Sequence, residues 1–139
     1  MTREYAIEII ENLYPADAKN PKTAQIGQEL LEQAKSEIDG WRVEPTEILI
    51  RYAQLCLDRE EKICLLLART GHQMKILYRI YDSPEKDNYI GEILWFSNGL
   101  FLIEWGENLL KEDYKAESLS KCFEKIRNRY KSFYLQKII

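Results

Sequence analysis

The chain has 139 residues, 45% of them hydrophobic, and a formal net charge of −3 from 20 Lys and Arg against 23 Asp and Glu. That length and apolar content suit one core and would crowd two, so a single domain over 1–139 is expected, helical over about 1–71, with a sheet and terminal helix over about 72–139. Mixed charge of small net value excludes a polyanion mimic and a general nucleic-acid binder, and no apolar run approaches the roughly 18 residues of a membrane span.

Met1–Asn12 carries acids where a secretion signal has an uncharged apolar run, which makes a cytoplasmic location the expectation. Thr2 is placed to cap a first helix in which Ala6, Ile9, Ile10 and Leu13 recur at helical spacing before Pro15 blocks it. A turn-rich stretch follows. From Thr23 a second helix carries Ile26, Gly27, Leu30, Leu31, Ala34 and Ile38 along one side, and Gly40 supplies a left-handed stop.

After a connection over Trp41–Glu44, Pro45 and Thr46 start a third helix with Ile48, Leu49, Tyr52, Ala53 and Cys56 as its buried stripe. The charged run 58–62 interrupts that stripe without glycine or proline before apolar residues resume, and Gly71 ends it. One bent helix is the preferred reading over two stacked ones. Cys56, Cys64 and Cys122 each lie among apolar residues of a helix, the setting of inert reduced thiols.

From Gln73 the period changes to two. Met74, Ile76, Tyr78 and Ile80 then share one face of a strand, with Lys75, Leu77, Arg79 and Tyr81 on the other. Two more strands flank Asn98-Gly99, the pair suited to a two-residue type I′ turn. That loop sets Phe96 opposite Phe101, Leu94 opposite Ile103, Glu92 opposite Trp105, Trp95 opposite Leu102 and Ile93 opposite Glu104. Both faces of the hairpin are then largely apolar, so the sheet must be curled, covered on both sides, or covered by a partner. From about Ala116 a last helix presents Leu119, Cys122, Phe123, Ile126, Tyr130 and Phe133 as its stripe.

Chemistry is sparsely represented. His72 follows the Gly71 stop, a place for capping carbonyls, and neither a Gly-x-Ser-x-Gly turn nor a cysteine beside a histidine is present. Three cysteines without a Cys-x-x-Cys spacing and one histidine do not make a zinc site, and six scattered glycines do not make a phosphate loop. No catalytic residue, metal or cofactor is therefore expected, and Glu92 and Glu104, on opposite faces in that register, make poor acid/base partners.

The charge asymmetry is greatest near the C-terminus. Lys121, Lys125, Arg127, Arg129, Lys131 and Lys137 stand against Glu124 there, interleaved with Tyr130, Phe133 and Tyr134, a combination that suits phosphate contact with base stacking. Cations also complement the negative end of any helix, which is the simpler account of the same residues.

The hairpin region resembles the core of small SH3-like or Tudor-like barrels on Gly91, Asn98-Gly99, Trp105, Tyr114 and Leu119; such barrels are mostly binding modules. It is also similar to a WGR domain at Trp105-Gly106-Glu107, with glutamate where that family has arginine. The sequence thus predicts an α+β protein with a helical N-terminal half, a small antiparallel sheet of about three strands with SH3-like resemblance, and a C-terminal helix. The function expected is non-enzymatic: an adaptor, inhibitor or other interaction module that binds a protein partner or forms a homodimer, anchored by Trp95, Phe96, Phe101 and Trp105. The alternative is an RNA- or DNA-binding accessory protein using Lys121, Lys125, Arg127, Arg129 and Lys131.

Overall fold

The computed structural model describes residues 1–38, 45–106 and 112–138. Contacts within the chain group it into two units, Met1–Glu60 and Glu61–Ile139. Gly40, the Trp41–Glu44 connection and Glu107 lie outside the described residues.

The first unit holds α1 (Arg3–Leu13), α2 (Pro21–Glu37) and the start of α3 (Pro45–Arg69). Thr2 caps α1 as its side chain accepts from Tyr5 N at 3.1 Å, and Tyr5, Ala6, Ile9 and Leu13 are its buried residues. α2 begins before Thr23, because the Asn20 side chain accepts from Lys22 N at 3.0 Å and Pro21 occupies the first turn, where its missing N–H costs nothing. Its buried residues are the small ones, Gly27 and Ala34, while Ile26, Leu30 and Leu31 remain half-buried. A Cβ on Gly27 would stand 3.0 Å from the Tyr52 hydroxyl and 3.1 Å from Tyr14 Cβ, so the bare backbone there lets both rings in.

α3 is one helix of 25 residues. The charged run does not break it because the inward positions still recur at helical spacing. Ala53, Cys56, Leu57, Glu60 and Cys64 are buried, whereas Asp58, Arg59 and Lys62 point outward.

The second unit contains residues 61–69 of α3, then β1 (Met74–Tyr81), β2 (Tyr89–Phe96), β3 (Phe101–Trp105), β4 (Tyr114–Ala116), α4 (Leu119–Tyr130) and β5 (Tyr134–Lys137). The sheet has five antiparallel strands in the order β4-β3-β2-β1-β5, not about three. β4 and β5 escape a periodicity reading because three and four residues are too few to establish an alternation.

Two registers differ from expectation. The hairpin loop has three residues, Ser97-Asn98-Gly99, with Gly99 at φ +89° and Asn98 at negative φ, so Trp95 pairs with Phe101, Ile93 with Ile103 and Glu92 with Glu104. Gly99 N–H donates to Phe96 O at 2.9 Å and Phe96 N–H to Leu100 O at 3.0 Å, the pattern of a three-residue loop closed by a left-handed glycine rather than a type I′ turn. One added loop residue shifts the partner strand by one, which exchanges its two faces.

In β1, Ile76 pairs with Leu94 and Tyr78 with Ile93, so Leu77 is an inserted bulge residue. Met74 and Ile76 therefore face opposite to Tyr78 and Ile80 instead of sharing their side.

α4 covers one face of the sheet. Leu119, Cys122, Phe123 and Ile126 are buried, and Phe123 stands edge-on to Tyr78 with ring centroids 6.1 Å apart. Its start is fixed twice: the Ser118 side chain accepts from Lys121 N at 3.2 Å and the Glu61 carboxylate accepts from Leu119 N at 3.0 Å. It ends at Tyr130, where Lys131 takes φ 59° and ψ −43° and Ser132 N–H donates to Tyr130 O, a γ-turn that frees the following residues to form β5. Phe133 thus lies beyond the helix, yet it is fully buried with its ring 5.2 Å from that of Phe123.

Candidate functional site

Cross-strand pairs place every sheet residue on one of two faces. The face under α4 carries Tyr78, Ile80, Ile93, Trp95, Phe101, Ile103, Trp105, Tyr114 and Ala116. Trp95, Phe101 and Trp105 are 2%, 4% and 7% exposed, so three of the four anchors expected from the sequence are core residues. Phe96 is half-buried and belongs to the opposite face.

That opposite, outer face is zoned along the strands. At the hairpin end lie Met74, Phe96 and Leu100, followed by a row of Ile76, Leu94, Leu102 and Lys115. The next row is Gln136, Arg79, Glu92 and Glu104, and beyond it come Tyr134, Tyr81 and Tyr89. The bulge at Leu77 creates this zoning, because it turns Met74 and Ile76 outward beside Phe96 and Leu94.

The apolar zone is partly exposed around Leu94, which is itself buried. Met74 is 48% exposed, and Ile76, Phe96, Leu100 and Leu102 are half-buried. Phe96, Asn98, Leu100, Phe101, Leu102 and Lys115 line a groove of about 360 Å³. Alternating apolar and polar residues would be expected on a solvated antiparallel face; here, Lys115 at the edge strand apart, the polar residues are gathered at one end.

The polar row is acidic on balance. Glu92 and Glu104 are direct cross-strand partners on one face, a juxtaposition the two-residue loop had concealed. Arg79 Nε lies 3.8 Å from Glu92 Oε1. Tyr89 is pushed up to about 12, first by burial of its hydroxyl and then by the charge of Glu92 and a hydrogen bond to it. Tyr81 stands edge-on to Tyr89 at 6.1 Å and donates to Gln136 Oε1 at 3.1 Å.

The basic residues of α4 do not form one track. At about 100° per residue, Lys121, Lys125 and Arg129 fall on one flank of the buried stripe and Arg127 on the other, while Lys131 lies past the end of the helix. Lys125 Nζ lies 5.1 Å from the centre of the Tyr114 ring and the Arg129 guanidinium 5.3 Å from that of Trp105, so both cations cover sheet aromatics.

The histidine lies at a helix end and the three cysteines are buried. His72 Nδ1 lies 3.3 Å from Leu67 O and 3.0 Å from Thr70 Oγ1, closing the end of α3. Cys56, Cys64 and Cys122 are buried and not joined in disulfides; burial, with the charge of Glu61, pushes the Cys122 thiol up to about 12. Among the described residues, no group of three or more His, Cys, Asp or Glu could hold a metal ion, and no helix is long and apolar enough to cross a membrane.

The first unit contains a cleft of about 630 Å³ lined by Ile10, Tyr14, Pro15, Leu31 and Tyr52, with Glu11, Asp17 and Gln28 among its polar residues. Burial raises Tyr14 well above the usual phenol range and Tyr52 to about 12. Proton transfer near neutral pH needs groups poised close to it, and these two are moved the other way. No protein-family model, curated protein or solved structure matches the chain.

Proposed function

We propose that this chain is a non-enzymatic protein-binding module, an adaptor or inhibitor, that engages its partner through the hairpin end of the outer sheet face. One observation carries the reading: Met74, Ile76, Phe96, Leu100 and Leu102 lie together, partly exposed, on one face around a groove. Contiguous apolar surface on a folded protein marks an interface far more often than single exposed apolar residues do. The resemblance of the hairpin region to small SH3-like barrels points the same way. The anchors are therefore Phe96 and Leu102 with Met74 and Leu100, in place of the buried Trp95, Phe101 and Trp105.

Nucleic-acid binding through α4 is the weaker reading. Its cations are divided between two flanks, and Lys125 and Arg129 already lie over Tyr114 and Trp105.

The test is affinity purification of the tagged chain from its native cells, with nuclease, alongside Leu102→Asp and Arg127→Glu variants. The proposal expects one stoichiometric protein, or a second copy of the chain, that survives nuclease and is lost with Leu102→Asp alone. Recovery of nucleic acid that disappears with Arg127→Glu and at raised salt would replace it with the α4 reading.

A further inference from the structure

Resting on the outer face as a binding surface, we infer that its occupant is an amphipathic helix of a protein partner. The apolar side of that helix covers Phe96, Leu100 and Leu102, and a lysine or arginine one turn along reaches Glu104 and Glu92. The acidic row supplies the charge complementarity. Glu92 and Glu104 face each other directly, an arrangement that disfavours the folded sheet unless a cation intervenes, and Arg79 approaches Glu92. Glu104 is exposed and has no ion pair among the described residues. The row thus offers a carboxylate to an incoming cation at the border of the apolar zone.

Spacing selects a helix. Leu102 and Glu104 are two residues apart on one strand, about 7 Å. Residues four apart on a helix are separated by about 6 Å along the axis, so an apolar side chain in the groove and a basic one a turn later meet both zones together. The groove lies on the face of the sheet, where backbone pairing with an added strand is not available. On the other face the same sheet already packs a helix, α4. Tyr89, 44% exposed on the same face, offers its ring beside the carboxylates, a setting that suits a guanidinium.

The probes are two synthetic amphipathic helices of about 16 residues, long enough to hold helical structure. Both share a leucine stripe; one carries arginine four residues after each leucine and the other glutamate. Each is titrated into the full 15N-labelled chain while backbone amide shifts are followed. The arginine peptide is expected to move the amides of Phe96, Leu102 and Glu104, to bind about two- to fivefold more tightly than the glutamate peptide, and to lose that advantage in Glu104→Lys. If both peptides bind equally and both are lost with Leu102→Asp, the face is a binding surface but the cation-bearing helix is wrong. If neither moves amides on this face, the inference and the reading beneath it both fail.

Discussion

Gly91 sits opposite Trp105 in the middle of the sheet, and a Cβ there would stand 2.7 Å from the carbonyl oxygen of Glu104 and 3.2 Å from Trp105 Cα. Both are backbone atoms of the neighbouring strand and cannot swing away. Gly91→Ala should therefore destabilise the protein by about 1–3 kcal/mol in urea denaturation. Gly106→Ala is the control, because its Cβ would meet the Tyr89 ring at 3.4 Å, a side chain that can yield. Equal losses at the two sites would mean that strand approach is not what requires glycine at 91. The same contrast separates core from surface among the aromatics: Trp95→Asp should abolish the cooperative unfolding transition, since a carboxylate would be buried without compensation. Leu102→Asp, on the open face, should keep that transition and native amide dispersion.

The four helices and three of the five strands were legible; β4, β5 and the registers were not. Thr2 and Pro45 mark helix starts through a capping side chain or a fixed φ, and the period of two over Met74–Tyr81 marks a strand. Periodicity carries no record of an inserted residue, however. Leu77 is apolar like its neighbours, so the bulge leaves no trace in the pattern, and Asn98-Gly99 serves a three-residue loop as readily as a two-residue one. Those two insertions decide that Met74 and Ile76 turn outward and that Glu92 meets Glu104, which is why the outer face could not be read from the sequence. The end of α4 was hidden similarly, since a lysine gives no stop signal. Lys131 holds its positive φ at a cost a glycine would not bear, so Lys131→Gly should stabilise the protein by about 1 kcal/mol, after allowing for the entropy glycine loses on folding. A thermal melt decides it; a loss of stability would mean that the lysine side chain contributes more than the strained turn costs.

At the scale of the whole molecule, the shifted acids give the protein a direction of pH sensitivity. Tyr52 and Tyr89 are raised to about 12, and Cys122 from its ordinary 9.0 to about 12, each chiefly by burial that disfavours the anion. Tyr14 is raised further still for the same first reason, reinforced by Glu60. All are neutral when protonated, so a raised folded value means that the native state holds its protons at pH values where the unfolded chain releases them. Their contribution is fully present below the unfolded values and is lost as pH climbs through the folded ones. The urea midpoint should accordingly fall between about pH 9 and pH 12, with Cys122 responsible for the lower edge of that window. Cys122→Ala should flatten the first part of the decline and Tyr52→Phe the later part, although each variant starts from its own stability in the neutral range. The decisive comparison is therefore the slope of the midpoint against pH. A slope unchanged by both substitutions would show that these buried acids are not what links proton release to unfolding.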